Sequence, residues 1–395
     1  MNRRDFLKLG LAAPLAASSL SLYAASAGSP RLLVVFMRGA YDAANLLVPH
    51  GSSFYYEARP NIAIPRPGAA ANSALALDSA WALHPALRAS LLPLYEKGRL
   101  AFVPFAGTDN LSRSHFDTQD SIELGQAPSG ARNYQSGFMN RLATVLAKRG
   151  QPIAFTSQVP VTFRGEVQVP NVALRQLAKP SVDARQSAVI AEMYRNTALA
   201  GPVMEGFSTR DGVIQTLAED MDAASRNALT ARGFELEARR IARLMRDRYN
   251  LAFVDIGGWD THVGQGGAEG YLANRLEELG RGVAAYADEM GAAWNDTVVV
   301  VLSEFGRTFR ENGNRGTDHG HGSVYWVLGG SVRGGRIAGE QVGVTPASLN
   351  QSRDYPVLNE YRALFAGLFG RMYGLDSAQL DRVFTGVKPK DLGLL

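Results

Sequence analysis

Short, unbroken apolar runs recur along the chain at Arg31–Met37, Leu100–Phe105, Pro152–Thr156, Leu251–Ile256, Thr297–Leu302 and Val324–Leu328. Their apolar character is continuous rather than alternating, which suits strands covered on both faces. Helical patterns lie between several of them. The clearest is Tyr361, Leu364, Phe365, Leu368, Phe369 and Met372, spaced three and four residues apart so that one stripe of a helix is apolar, with Asn359 as the expected N-cap. Strands alternating with helices predict an α/β fold, a mainly parallel sheet sandwiched by helices. Residues 158–250 break the pattern, since a Val/Pro-rich opening gives way to helical, Arg-rich sequence. They read as a helical insertion or cap on one core domain made of residues 28–157 and 251–395.

The start of the chain reads as an address. A basic segment, Asn2-Arg3-Arg4-Asp5-Phe6-Leu7-Lys8, leads into a mild apolar run from Leu9 to Tyr23 and ends in Ala25-Ser26-Ala27, a small-x-small cleavage pattern. Paired arginines followed by x-Phe-Leu-Lys resemble a twin-arginine export signal. Residues 1–27 are therefore expected to be a signal peptide, and the mature chain to be exported folded, to the periplasm or beyond, by the twin-arginine translocation machinery. The apolar run is short of the roughly 20 residues a membrane span needs, and no transmembrane span is expected in the mature chain. Arg3, Arg4 and Lys8 against Asp5 also supply half of the formal net charge of +4, which leaves no broad cationic surface for nucleic acid. With no cysteine there is no disulfide framework, thiol nucleophile, iron–sulfur cluster or cysteine zinc site. Any metal must sit on His, Asp, Glu or other oxygen ligands.

In open parallel sheets, ligands bind beyond the carboxyl ends of the strands. The loops at those ends read Arg38-Gly-Ala-Tyr-Asp42, Gly107-Thr-Asp-Asn-Leu-Ser-Arg-Ser-His-Phe-Asp117, Gly257-Gly-Trp-Asp-Thr-His262 and Ser303-Glu-Phe-Gly-Arg-Thr308, with Gly316-Thr-Asp-His-Gly-His-Gly322 leading into the sixth run. Four of the six histidines, His115, His262, His319 and His321, fall in them, whereas His50 and His84 read as ordinary satisfied side chains. Asp260 with His262, and His319 with His321, stand two apart, and on extended backbone such pairs point the same way. Carboxylates and neutral imidazoles are common ligands at about 2.0 to 2.2 Å, so each pair suits one cation. If Asp42, Asp260, Glu304 and Asp318 converge, their repulsion and desolvation require a divalent cation or arginines to neutralise them. Arg38, Arg113 and Arg307 fit that need, and guanidinium forks equally suit tetrahedral oxyanions such as phosphate or sulfate. The glycines of 316–322 would let backbone approach a ligand closely.

Three further patterns carry less. Ser112 and Ser114 lie outside a Gly-x-Ser-x-Gly elbow, and Gly264-Gln-Gly266 has Glu269 where a dinucleotide fingerprint needs its third glycine. Arg232, Arg239, Arg240, Arg243, Arg246 and Arg248, interleaved with Glu235, Glu237 and Asp247, read as a solvated, salt-bridged helix face.

In combination, Phe36-Met-Arg-Gly-Ala-Tyr-Asp42, Leu83-His-Pro-Ala-Leu87, Ser112-Arg-Ser-His-Phe116, Gly258-Trp-Asp-Thr-His262, Ser303-Glu-Phe-Gly-Arg-Thr308 and Gly316-Thr-Asp-His-Gly-His-Gly322 resemble a bacterial exported family classed as a domain of unknown function (number fifteen-oh-one). That family is itself related to the alkaline phosphatase and sulfatase superfamily. The resemblance covers essentially the whole mature chain. It implies a parallel sheet whose strand-end Asp and His residues bind one or two divalent metal ions (zinc, manganese or calcium), with a Ser, Thr or modified Cys nucleophile attacking phosphorus or sulfur.

Carried over by position, Asp260 and His262 resemble the superfamily's Asp-x-x-x-His ligands, and His319 or His321 its closing histidine. Glu304 takes the place of the Asp of an Asp-His pair, with Asp42 and Asp318 as further ligands. Ser114 or Ser112 would be the nucleophile, with His115 catalytic beside it, because Asn110-Leu-Ser-Arg-Ser-His115 resembles the Asn-Ser-Glu-x-Gly-His loop of cofactor-independent phosphoglycerate mutases. Arg38, Arg113 and Arg307 would bind an anionic small molecule or envelope substrate. The chain departs from the superfamily in three places. The Asp-His spacing shrinks to one residue, Phe305 stands where the paired His is usual, and Arg38 follows the first strand where an Asp is usual, leaving Asp42 four positions late. The expected function is a metal-dependent hydrolase of phosphate or sulfate esters. The alternative is a non-catalytic envelope protein that binds or helps assemble a component with the same pocket.

Overall fold

A computed structural model describes residues 30–129, 131–175, 183–218 and 231–395, so the twin-arginine segment 1–27 and parts of the insertion 158–250 lie outside the described residues. The main strands are β1 Arg31–Met37, β2 Leu100–Gly107, β3 Pro152–Phe155, β4 Leu251–Ile256, β5 Thr297–Ser303, β6 Ser323–Gly329, β7 Arg336–Ile337 and β8 Asn359–Glu360. They form one eight-stranded sheet in the order β7-β2-β6-β5-β1-β4-β3, with β8 also paired to β2. Every pairing is parallel except those of β6, which runs against β2 and β5.

β1 explains why the apolar runs are unbroken. Leu33, Val35 and Met37 enter one core with Phe234, Ile241, Leu276 and Val283, whereas Leu32, Val34 and Phe36 enter a second with Phe138, Leu142, Phe365 and Phe369. Successive side chains alternate across the sheet, and both faces are roofed. The roof of the first face is α5 Gly233–Asp247 and α6 Tyr271–Met290; that of the second is α2 Phe138–Leu146, α7 Tyr361–Tyr373 and α8 Ser377–Val383. The other helices of more than six residues among those described are α1 His115–Leu124, α3 Ala184–Tyr194 and α4 Ala200–Thr216. The architecture is thus mixed α/β, a mostly parallel sheet flanked by helices. Phe36 is fully buried between the strands and the second roof, and truncating it to Ala is expected to cost about 3 to 5 kcal/mol.

α7 forms where the apolar stripe places it, but its cap is Glu360, whose side chain accepts the Ala363 N–H. Asn359 is taken by the sheet edge, its amide donating to the carbonyls of Pro104 and Glu340 at 2.8 and 2.9 Å. Within residues 158–250, α5 lies along α6, where Arg243 meets Glu289 at 3.0 Å, and on α5 itself Arg239 meets Glu235 at 3.3 Å. α3 and α4 are mostly exposed. No described helix is long and apolar enough to cross a membrane. Because β6 is reversed, its first residue shares one edge of the sheet with the carboxyl ends of β1, β2, β4 and β5, and four connections meet there, that between β5 and β6 with both its ends.

Candidate metal centre

Three of those loops each deliver one histidine. His115 is the first residue of α1, His262 lies midway along the loop between β4 and α6, and His319 lies before β6, bridged through its backbone to Arg307 of the same β5–β6 connection. Their Nε2 atoms turn inward. His319 Nε2 lies 2.9 Å from that of His115 and 3.0 Å from that of His262. Asp260 completes the group, with Oδ1 3.0 Å from His262 Nε2 and 3.2 Å from His319 Nε2, and Oδ2 3.5 Å from His115 Nε2.

The outward nitrogens decide where the protons are. Nδ1 of His115 faces Glu304 at 2.8 Å, Nδ1 of His262 faces Asp318 at 3.2 Å, and Nδ1 of His319 faces the Arg113 carbonyl at 3.0 Å. Carbonyls and ionised carboxylates only accept. Burial opposes ionisation of Glu304, but hydrogen bonds from His115 and Gln119 hold its carboxyl below the usual range. Burial likewise opposes ionisation of Asp318, and Asn312 and His262 outweigh it. The hydrogen bonds therefore assign a proton to each Nδ1, and each neutral ring keeps a lone pair on Nε2. Burial, with the charges of His115 and Arg307, pushes the His319 imidazole below its ordinary value.

Three lone pairs and a carboxylate thus face one another. A proton is one way to relieve the crowding, and the hydrogen bond to Glu304 raises the His115 imidazole accordingly. A proton serves two of the atoms, whereas a divalent ion would serve His115, Asp260 and His319 together, with His262 adjoining them. Ligand atoms about 2.1 Å from one ion, spread between right-angled and tetrahedral, lie about 3.0 to 3.4 Å apart, close to the separations that His319 and Asp260 make with their neighbours. Three imidazoles and one carboxylate are a donor set for a borderline cation such as zinc, and the carboxylate or carbonyl behind each ring is what fixes a ligating histidine.

Other residues expected at the centre stand behind it or away from it. Glu304 is buried, its Oε1 accepting from the Gly39 N–H, Gln119 and His115 at 2.8 Å each and its Oε2 from the Ser303 hydroxyl at 2.8 Å. It orients His115 and has no oxygen left to face inward. Asp318 does the same for His262, with Asn312 donating to it at 3.1 Å. Asp42 is closed off by the Arg59 fork at 2.5 and 3.0 Å and by Gln265 at 2.6 Å. His321 is buried apart from the group, with Asp354 and Arg113 as charged neighbours. The expectation that His319 and His321 point together fails because regular strand begins only at Ser323. A Cβ on Gly316 would overlap the His262 carbonyl, and one on Gly320 the Arg307 backbone. These glycines seat loop upon loop instead of admitting a ligand.

The three arginines expected to bind substrate are spent on the protein. Arg38 reaches Asp255, Glu123 and Gln119 at 2.5, 2.8 and 2.9 Å. Arg113 pairs with Asp354 at 3.0 Å. Arg307 is buried, donating to the carbonyls of Ala40, Thr317 and Gly39 and pairing with Asp260. Burial opposes ionisation of Asp260, and the Arg307 guanidinium overcomes it, holding the carboxyl below its usual value. His115, expected as a catalytic residue, stands instead among the inward-facing nitrogens. Ser112 and Ser114 are exposed on the approach, and Ser114 precedes α1 without spending its hydroxyl on the cap.

Sequence reasoning passed over Gln119, Asn312 and the role of Phe305. Gln119 follows His115 by four residues on α1, a same-face spacing that was legible; nothing in the sequence pointed to Asn312. The Phe305 ring stacks on His115 with centroids 5.0 Å apart and lies 5.2 Å from His319. An apolar ring therefore floors the two histidines. Among the described residues, one group of His and carboxylate atoms, that of His115, Asp260 and His319, is close enough to hold an ion, and His262 adjoins it.

No curated protein matches the chain. Among solved structures it is similar to a protein in the alkaline phosphatase superfamily from Vibrio parahaemolyticus, with TM-score 0.44 and 11% identity over 94% of this chain and 72% of that one. It is similar to a 2-O GAG sulfatase with TM-score 0.39 and 8% identity over 92% and 75% of the two chains. It is also similar to the C-terminal periplasmic domain of EcEptC from Escherichia coli, in complex with Zn, with TM-score 0.32 and 11% identity over 77% and 73%. The chemistry of the site rests on its own residues. The strand-end motifs, set on the sheet as described, lie within residues 29–384, over which the chain matches the family described as "Protein of unknown function (DUF1501)", and it belongs to that family.

Proposed function

We propose that the chain is an exported, metal-dependent hydrolase of phosphate or sulfate esters, built on the alkaline phosphatase and sulfatase plan with a single divalent ion. The observation that carries this reading is the convergence of three imidazole Nε2 atoms on Asp260, each ring anchored from behind by Glu304, Asp318 or the Arg113 carbonyl. His115, His319 and Asp260, with His262 adjoining, would hold the ion, and Phe305 packs against two of the rings. Such an ion supplies charge neutralisation and Lewis-acid polarisation of an ester oxygen.

The chain's own groups do the rest. Arg307 keeps Asp260 ionised and aimed; Glu304 and Asp318 keep two rings in one tautomer. The Ser114 hydroxyl, exposed beside His115 and free of a capping bond, is the attacking group, with Ser112 next in line. Asp260 and His262 leave the centre open to solvent, their side chains 44% and 39% exposed. The twin-arginine segment would carry the folded chain out of the cytoplasm, and Arg3→Lys with Arg4→Lys is expected to strand an uncleaved precursor inside.

The test of the activity is a panel of aryl phosphates and aryl sulfates with protein purified from the periplasm. Turnover should vanish with chelator, return with a divalent ion, and be abolished by Ser114→Ala with the metal content unchanged. No turnover of any ester by metal-replete protein would contradict the hydrolase and favour a binding or assembly role for the same pocket.

A further inference from the structure

Arginines gather around the centre, and one of them is uncommitted. Arg38, Arg113 and Arg307 are each paired with a carboxylate. Arg353 is not: among the described residues no carboxylate lies within ion-pair distance of it, and its one side-chain hydrogen bond runs from Nη2 to the His319 carbonyl at 3.1 Å. A guanidinium carries five N–H donors in a fixed fork, so most are left over. That one bond also places them. The carbonyl oxygen and Nε2 of a single histidine lie within about 6.5 Å of each other by covalent geometry, and His319 Nε2 is the atom that His115, His262 and Asp260 meet. The Arg353 charge acts as well on Asp318, whose half-exposed side chain stands behind His262. The spare donors are therefore beside the centre, on the side that solvent reaches.

The backbone that delivers Arg353 is strained. Its N–H closes a tight turn on the Asn350 carbonyl at 3.0 Å, and the two residues inside that turn, Gln351 and Ser352, both have left-handed φ, 53° and 55°. Turns with two left-handed central residues favour Asn and Gly, so Gln and Ser sit there at a cost. Strain of this kind persists where the surroundings over-determine it, and it clusters at binding sites. Here the surroundings are firm. The Arg353 carbonyl accepts the Phe309 N–H at 2.8 Å, the Gln351 side chain accepts from Arg113 at 3.3 Å, and buried Asp354 pairs with Arg113 at 3.0 Å and accepts from Asn350 at 3.1 Å. The turn is fixed on both flanks, while the guanidinium at its end has one bond.

We infer that Arg353 is the oxyanion-binding residue of the centre, its fork taking two non-bridging oxygens of the ester's phosphoryl or sulfuryl group while the ion takes another. The inference rests on the ester-hydrolase reading and names the cation for it. Guanidinium forks match tetrahedral oxyanions in geometry as well as charge.

The experiment is calorimetric titration of the purified protein, loaded with one equivalent of Zn²⁺, with inorganic phosphate, with inorganic sulfate and with imidazole, a neutral ligand for zinc. In Arg353→Met both anions should bind about 10- to 100-fold more weakly than in the parent, the size of losing hydrogen bonds from a charged donor. Affinities for zinc and imidazole should stay within about twofold, since the side chain is half-exposed and touches no ion-facing atom. Arg353→Lys, which keeps the charge but not the fork, should fall between the two, and it carries the same comparison should the Met variant fail to fold. Anion affinities equal to the parent's in Arg353→Met overturn the proposal and leave the ester reading standing. An equal loss for zinc, imidazole and the anions also overturns it, by making Arg353 only a pin for the His319 loop. Binding of neither anion by the zinc-loaded parent overturns the ester reading itself, and the assignment of Arg353 with it.

Discussion

Adjacent strands β1 and β4 each lead into a loop that carries an aspartate, and the two aspartates are treated in opposite ways. Asp42 is sealed. Arg59 grips both its oxygens, Gln265 adds a third bond, and nothing of the pair reaches solvent. Beside it, His84 is closed in the same manner, Nδ1 accepting from the Ala86 N–H and Nε2 set against the Gly267 carbonyl, both at 3.1 Å. Around Asp260 every histidine has its Nδ1 matched and its Nε2 left over, aimed at the other rings. Density of Asp and His does not mark a ligand site, because both regions have it. A lone pair without a donor marks it, since a polar atom inside a protein is ordinarily matched.

If the first region is closed by design, breaking it should be the most damaging change. Arg59→Met leaves Asp42 buried without its counter-ion and is expected to cost about 3 to 5 kcal/mol in denaturant unfolding. Metal bound per folded molecule should stay the same, which separates the two regions. The next effect is on acid stability. Burial lowers the His84 imidazole from 6.5 to about 4. The unfolded chain therefore takes up this proton first as pH falls, so the contribution is fully present above about pH 6.5 and is lost on the way down through pH 4. Unfolding free energy measured between those values should drop by on the order of 3 kcal/mol more than in His84→Gln. A parallel pair of pH profiles would show that His84 is not the closed residue described here.

The smallest effect belongs to the support of the open region. Glu304→Gln keeps volume and burial but weakens the hold on His115, and should lower metal affinity by about 10- to 100-fold in competition with a chelator. It should leave a centre that still fills at high ion concentration. Complete loss of binding in Glu304→Gln would mean that Glu304 is itself a ligand and that His115 is not anchored as described.

Much of the sheet was legible in the residues because a strand roofed on both sides must be apolar at every position, as β1, β4 and β5 are. The strand-end rule brought the four connections to one edge. What failed was everything that depends on where a side chain turns once the loops have packed. Asp42 and Asp260 look alike in sequence and each meets an arginine, but Arg59 and Gln265, 17 and 223 residues beyond Asp42, close Asp42 off on all sides, and only the fold brings them there. His319 and His321 separate because Gly320 is pressed on Arg307 and the segment is not a strand. Glu304 and Asp318 were placed one layer too far in, since a carboxylate that orients a ligand and one that is a ligand have the same residue type. The glycines of 316–322 had a visible purpose, close approach, but the neighbour was another loop.

The most direct measurement is the metal content of the purified protein beside that of His319→Ala, with unfolding of both followed in the presence and absence of chelator. His319 touches the other three groups that would hold the ion, and its removal should take bound metal from one ion per chain to none. Metal at 100 times its dissociation constant should stabilise the parent by about 2.7 kcal/mol and the variant not at all. With chelator present the variant should be at least as stable as the parent, because one of the crowded lone pairs is gone. A parent that binds no divalent ion, or a variant that binds it as well as the parent, would contradict the assignment of these four residues as a metal centre.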